Sequence, residues 1–152
     1  MLRQEISQAL TTAVKAQDKL RVATLRLIMA AVKDRDIANR TASKDPVGDE
    51  ELLGILSKMV KQREESARIY EEGGRADLAK AERDEIEIIN DFLPAQMSDD
   101  DIRKACAEVI AETGAESLRD MGKCMAILKE RYAGQMDFSK ASSMIKELLQ
   151  SA

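Results

Sequence analysis

Apolar residues recur at helical spacing along almost the whole chain. In seven stretches they return every three or four positions, the pattern of helices with one buried face. The predicted helices span about 2–16, 19–40, 49–72, 76–92, 98–113, 120–134 and 137–150. The pattern predicts an all-α protein with an N-terminal helical bundle and a small C-terminal three-helix domain.

The segment 94-PAQMS-98 interrupts this helical pattern. Pro94 follows the apolar end of the fourth helix and cannot continue it, and the polar residues after it fit a short linker. Ser98 and Asp101 have the S-x-x-D spacing of a capping box, which predicts the start of the fifth helix. We therefore expect two domains, residues 1–95 and residues 98–152.

Composition supports the helical interpretation. Aromatic residues make up only 3% of the chain, whereas sheets are usually rich in aromatic and β-branched residues. No apolar run reaches the ~18 residues that would span a bilayer, and the N-terminus lacks the apolar core of a secretory signal. Cys106 and Cys124 fall on apolar helical faces, so we expect buried reduced thiols in a cytoplasmic protein.

Charge is unevenly distributed along the chain. The net charge is −4, with +5 in residues 1–44, −7 in residues 45–95 and −2 in the remainder. Lys19, Arg26 and Lys33 recur every seven residues and form one narrow stripe on the second helix. A solvated face is the interpretation that we favour, and an anion-facing ridge is the alternative. Any nucleic-acid contact must use a local patch of this kind.

Glu82 is the one carboxylate in an otherwise apolar row of the fourth helix. The row reads Leu78, Glu82, Ile86, Ile89 and Leu93. A buried carboxylate needs a partner, for which Arg26, Lys61, Arg63 and Arg75 are the candidates. We interpret Glu82 as half of a structural ion pair that ties helices together.

The inventory of reactive side chains predicts no catalytic residue, no metal and no cofactor. The chain has no histidine, which is the commonest general base and transition-metal ligand. Neither a P-loop nor a dinucleotide-binding glycine motif is present. The acidic triplet 99–101 lies at the start of a predicted helix. Carboxylates are favoured there by the helix dipole, so the triplet does not indicate a metal site.

Gly122 lies inside the apolar stripe of the sixth helix, where glycine costs about 1 kcal/mol relative to alanine. Lys123 follows it directly. Either a neighbouring helix packs so closely that no side chain fits, or the backbone is open to a phosphate for which Lys123 supplies the charge. We favour close packing.

The same stretch carries a family resemblance. The segments 120-DMGKCMAIL-128 and 133-AGQMDFSKASSMIKELL-149 are similar to the tail module of the GatB/YqeY family. The remaining segments resemble free-standing YqeY-like proteins in the same order: 18-DKLRVATLRLIMAAVK-33, 60-VKQREES-66, 73-GGRADLAKAERDEIEII-89 and 93-LPAQMS-98. The resemblance covers essentially the whole chain.

This resemblance implies a tRNA-associated accessory role. In GatB, a similar tail helps to hold aminoacyl-tRNA beside a catalytic core that this chain has no room for. The implied label is carbon–nitrogen ligase activity with glutamine as amido-N-donor, and we expect no catalysis by this chain alone. The implied partners are tRNA and components of an amidotransferase or an aminoacyl-tRNA synthetase, whereas no membrane contact is expected.

The residues that would contact phosphate are basic side chains of the tail, aided by the stripe on the second helix. They are Lys123, Lys129, Arg131 and Lys140, together with Lys19, Arg26 and Lys33. Few aromatic residues imply recognition by backbone and shape instead of base stacking. The alternative is a helical adaptor that binds another protein and no nucleic acid.

Overall fold

The chain is all-α, as the sequence predicts. The computed structural model describes residues 1–151, and for Ser151 only the backbone. Within that range it has seven α-helices and one short 3-10 turn, with no strand. The helices are α1 (Leu2–Lys15), α2 (Lys19–Thr41), α3 (Asp49–Glu72), α4 (Ala76–Asn90), α5 (Asp99–Thr113), α6 (Met121–Arg131) and α7 (Phe138–Ser151), and the 3-10 turn spans Leu118–Asp120.

The helices form two compact units, Met1–Leu93 and Pro94–Ala152. In the first unit α3 and α4 form a helical hairpin, while α1 packs on α2. In the second unit α5, α6 and α7 pack on one another. That the two units are independently folding domains remains a prediction.

Each unit has its own apolar core. The core of the first unit is built from α1, α2, α3 and α4 and includes Ile6, Leu25, Ile28, Leu56 and Ile89, each fully buried. The core of the second unit includes Cys106, Cys124, Leu128, Ala141 and Ile145. These residues recur at helical spacing in the sequence, which is why the periodicity predicts the helices well.

Both cysteines are buried in the second unit and form no disulfide within the described chain, as expected. Burial raises the pKa of the Cys106 thiol, because a thiolate would lose its hydration there. The Cys106 thiol donates to the Ala141 carbonyl at 3.7 Å. The two side chains therefore act as small apolar core residues.

Several helix ends follow from local chemistry. Asp18 caps α2 by accepting the Arg21 N–H at 3.1 Å. Ser98 and Asp101 form the predicted capping box at the start of α5. Gly114 ends α5 at φ +66°, a conformation that side chains with a Cβ rarely adopt.

Two boundary predictions need correction. Asp49 is of a residue type that favours the N-cap position, but Gly48 is the N-cap of α3, and the Asp49 carboxylate accepts the backbone N–H of Leu2 at 3.2 Å. Helix α4 ends at Asn90, before the predicted end near Phe92. The N–H groups of Asp91 and Phe92 donate to carbonyls three residues earlier, so a tighter turn ends the helix there, which periodicity alone does not predict.

Apolar spacing alone does not decide which residues are buried in α1 and α4. Val14 of α1 is 49% exposed, whereas Ile6 and Ala13 of the same helix are buried. In α4 the buried residues are Ala79 and Ile89. When Ala and Val lie on the sides of a helix, more than one of its faces is apolar. The neighbouring helices then decide which of these faces is buried.

Candidate functional site

The 3-10 turn Leu118–Asp120, which leads directly into α6, begins with a second capping box that the sequence analysis did not predict. The Ser117 hydroxyl accepts the Asp120 N–H, and the Asp120 carboxylate accepts the N–H groups of Glu116 at 3.1 Å and Ser117 at 3.4 Å. These backbone donors hold the pKa of the Asp120 carboxyl below its usual value. The signal was available, because 117-SLRD-120 has the same S-x-x-D spacing as residues 98–101.

Gly122 is exposed, and the prediction that a neighbouring helix packs closely against it is wrong. A Cβ built on Gly122 would meet no atom within 4 Å apart from its own helix backbone and chain neighbours. The absence of a side chain at Gly122 therefore does not allow a close crossing between helices of this unit. The other interpretation, an open backbone beside Lys123, is consistent with this geometry.

Two of the four predicted cations of the tail are engaged with carboxylates. Arg131 donates two hydrogen bonds to Glu112, at 3.0 and 2.6 Å, and the guanidinium lowers the pKa of that carboxyl. The Lys140 ammonium lies 3.3 Å from Asp99. Lys123 and Lys129 are exposed, and neither forms an ion pair with residues 1–151.

Lys123 and Lys129 do not share one face of α6. Six residues correspond to about 600° of rotation, so the two side chains leave the helix about 120° apart. Lys123 and Arg131 are closer in direction, at about 80°. The structure thus places the predicted phosphate-binding residues on one small unit, but on different sides of its middle helix.

The basic stripe of α2 is exposed along its whole length. Lys19, Arg26 and Lys33 all face solvent, and Arg40 continues the stripe at the same seven-residue interval. The four residues form no ion pair within the part of the chain that the structure describes, and Arg40 adds only a weak attraction to Asp36. The stripe is consistent with the solvated face that we favoured, and Arg40, which the prediction did not include, has the spacing of the same repeat.

The largely buried ion pair between α3 and α4 uses a different carboxylate from the predicted one, and a second pair, between Glu71 of α3 and Arg83 of α4, lies on the surface. Arg63 donates to Glu85 at 2.8 Å, and both side chains are largely buried. Glu82 lies one turn earlier and is half-buried, so its assignment as the fully buried carboxylate is corrected. Arg75 pairs with its neighbour Asp77 at 3.4 Å on the surface.

The start of the second unit is tied down around Pro94. The Gln96 side-chain amide donates to the carbonyls of Pro94 at 2.8 Å and Gly134 at 2.7 Å. The Met97 N–H donates to the Gln135 carbonyl at 2.8 Å. These hydrogen bonds therefore hold the segment after Pro94 against the turn that follows α6, a pairing that no motif in the sequence indicates.

Neither a metal cluster nor a spanning segment is found in the described range. Residues 1–151 contain no group of three or more Cys, Asp or Glu side chains that could hold a metal ion. Among these residues no helix combines the length and the apolar character needed to cross a bilayer.

The family of the chain follows from the sequence match over the whole of both units. The model of the Yqey-like protein family matches residues 3–149. The chain belongs to the YqeY family. The same family occurs as the C-terminal tail domain of GatB, so the resemblance stated from the sequence is confirmed.

Curated relatives of this YqeY-like chain come from yeasts. "Altered inheritance of mitochondria protein 41, mitochondrial" of Vanderwaltozyma polyspora is 28% identical over 79% of this chain and 64% of its own length. The protein of the same name from Clavispora lusitaniae is 28% identical over 93% of this chain and 81% of its length. The chain spans about half of the length of the relative from Eremothecium gossypii, at 32% identity over 59% of this chain.

Proposed function

We propose that this YqeY-like chain is a tRNA-associated accessory module, whose contact with tRNA phosphates centres on the first turn of α6. Membership of the family that supplies the GatB tail supports this role. The observation that carries the proposal is Gly122, which exposes the helix backbone next to a lysine and has no packing partner.

The electrostatics of the α6 start favour an anion. No side chain caps α6, and its first turn holds no acidic residue, in contrast to the three carboxylates that open α5. The helix dipole gives an N-terminus a partial positive charge that attracts phosphate, and it acts here although the Met121 N–H is already bonded to the Leu118 carbonyl. Lys123 adds a full charge one residue after Gly122. The carboxylate of Asp120 accepts hydrogen bonds from the backbone of Glu116 and Ser117, and these bonds offset the repulsion between this carboxylate and a bound phosphate.

The structure narrows the set of residues that the proposal needs. Arg131 and Lys140 already have carboxylate partners, so we assign the main contact to Lys123 and a secondary one to Lys129. This is a small charged area for a large polyanion. Binding should therefore be weak and strongly dependent on salt.

A titration of labelled bulk tRNA at low salt, followed by fluorescence anisotropy, tests the proposal. Each phosphate contact should contribute about 0.7–0.9 to the slope of log K against log salt, so Lys123→Glu should lower that slope and the affinity. Gly122→Ala should also weaken binding, because a methyl group would cover the exposed backbone. Lys44→Glu, at an exposed loop lysine of the first unit, is the matched control for net charge.

Absence of tRNA binding by the intact chain at low salt would exclude the proposal. Equal losses from Lys123→Glu and Lys44→Glu would show that only net charge matters and that α6 is not the site. Carbon–nitrogen ligase activity and a cytoplasmic location remain predictions. The first calls for a measurement of ammonia transfer to charged tRNA by the chain with and without amidotransferase components.

A further inference from the structure

Helix α2 exposes an apolar seam that its own unit does not cover. The seam residues alternate at intervals of three and four: Leu20, Ala23, Leu27, Ala30, Asp34 and Ile37. Leu20, Leu27 and Ile37 are 43%, 46% and 58% exposed, and they are among the few large apolar side chains left exposed on the chain. Intervals of three and four repeated over more than two heptads are the a and d positions of a coiled coil.

The basic stripe occupies one fixed position of this heptad pattern. Each cation of the stripe lies one residue before an a position and therefore at g, the position that flanks a coiled-coil seam. These cations are Lys19, Arg26, Lys33 and, where the same interval continues, Arg40. No carboxylate of the described residues forms an ion pair with them. Helix α2 therefore has the apolar seam and the charged flank of a coiled-coil strand without its partner strand.

An open groove borders the same seam. It has a volume of about 380 Å³ and lies between α2 and α3, with Ala31, Asp34 and Ala38 on one wall. Gly54 and Lys58 of α3 line the opposite wall, and a Cβ on Gly54 would meet nothing within 4 Å apart from its own helix backbone and chain neighbours. Ala31, Ala38 and Gly54 leave room on both walls for another backbone to approach, and Lys58 adds a further positive charge to those of the stripe.

We infer that the α2 seam docks an amphipathic helix of a partner protein whose flanking positions are acidic. The apolar side chains of that helix would cover Leu20, Leu27 and Ile37, and its carboxylates would pair with Lys19, Arg26 and Lys33. Asp34, an exposed polar residue at an a position, favours a polar or basic residue opposite it and so helps to set the register, while the five apolar seam positions supply the contact. This inference does not depend on tRNA binding by α6.

A second copy of this chain does not fit the seam. In an antiparallel pair the g positions face each other, so Lys and Arg of one copy would meet Lys and Arg of the other. In a parallel pair each g position faces an e position, where α2 has Thr24, Ala31 and Ala38, and no carboxylate. Nucleic acid is also a poor match, because phosphates would leave the three exposed apolar side chains uncovered.

The test uses two synthetic helical peptides of three heptads with Leu at the a and d positions. One carries Glu at every e and g position, and the other carries Lys there; like charges on both flanks keep each peptide from pairing with itself. The intact chain should bind the acidic peptide in a 1:1 complex and should not bind the basic one. Isothermal titration calorimetry measures both affinities.

Matched variants locate the binding surface. Leu27→Lys should weaken binding of the acidic peptide at least tenfold, which is the scale of losing one buried leucine. Leu27→Gln is the milder version, and circular dichroism confirms that each variant is folded. Ile69→Lys is the control, because Ile69 is an equally exposed apolar residue of α3, at 54%, outside the seam.

A charge exchange decides whether the stripe is used. The double variant Arg26→Glu with Lys33→Glu should no longer bind the acidic peptide and should bind the basic peptide instead. The inference is overturned if the chain binds both peptides equally, if it binds neither, or if the double variant leaves the preference unchanged. Dimerisation of the chain that Leu27→Lys abolishes would assign the seam to a second copy. Loss of tRNA binding by the double variant without any peptide binding would assign the stripe to nucleic acid.

Discussion

Gly122 lowers the helix propensity of α6 without any gain in packing. Glycine loses more backbone entropy than alanine when it enters a helix, at a cost of up to about 1 kcal/mol. A close crossing would compensate for that cost, but a Cβ at this position would meet open space. The residue is therefore unfavourable for the stability of the second unit, and packing within that unit does not explain it.

Gly122→Ala should stabilise the second unit by up to about 1 kcal/mol, because the helix gains propensity and nothing is overpacked. Denaturant unfolding followed by circular dichroism measures the change. Gly114→Ala is the control with the opposite sign, since Gly114 has φ +66° and alanine would be strained there. A loss of stability in Gly122→Ala would mean that the first turn of α6 packs more tightly than its geometry indicates.

At the scale of elements, the connection between α2 and α3 is held by the ends of three helices. Asp36 of α2 accepts two hydrogen bonds from Arg3 of α1, each at 2.9 Å, and the Val47 N–H, also at 2.9 Å. Asn39 donates to Asp45 in the loop and to Glu51 in α3. A segment with no regular structure is thereby ordered, and Val47 is buried in the core.

The Asp36 cluster should make stability depend on pH in the acid range. Its hydrogen bonds with Arg3 and then Val47 hold the pKa of the Asp36 carboxyl below its usual value. The contribution is therefore fully present above the pKa of the unfolded state and is lost as pH falls through the lower folded-state pKa. Unfolding midpoints measured from pH 6 down to pH 2 should fall less steeply in Asp36→Asn than in the native chain.

Asp34→Asn is the matched control for this measurement, because Asp34 lies on the same helix and is exposed. It should leave the pH dependence close to that of the native chain. An unchanged profile in Asp36→Asn would show that Asp36 does not contribute to acid sensitivity and that the cluster is replaceable.

At the scale of the whole molecule, apolar burial is divided between two separate cores. The first lies within Met1–Leu93 and the second within Pro94–Ala152. Domains of fewer than about 70 residues bury a smaller fraction of their surface and are only marginally stable alone. The second unit falls in this size class, and the capping boxes at Ser98 and Ser117 help it to offset the small core.

We predict that the two units fold when they are expressed separately. Residues 1–93 should unfold cooperatively at a midpoint close to that of the same unit in the intact chain, and residues 94–152 should be helical with a lower midpoint. Thermal unfolding by circular dichroism measures both. Fragments that are unstructured apart and become helical on mixing would show that the chain is one cooperative domain.

Local pattern was enough to predict the helices, their order and the position of the break at Pro94. Apolar spacing and helix propensity act over a few residues, and so do capping motifs such as Ser98 and Asp101. Periodicity narrowed the buried residues to a stripe on each helix. Burial follows the apolar row most closely where one row dominates the helix, as with Leu52 and Leu56 in α3.

Packing between helices decided what the local pattern left open. Glu85 instead of Glu82 accepts the hydrogen bond from Arg63, and Asp36 accepts those from Arg3, because a charge partner depends on which faces of neighbouring helices meet. For the same reason the space around Gly122 could not be read from its neighbours in the chain. Whether the α2 stripe is a solvated face or the flank of an uncovered seam likewise depended on which apolar side chains of α2 the bundle leaves exposed. Contacts between residues distant in sequence are set only when the whole chain packs, and a periodicity confined to one helix carries no information about them.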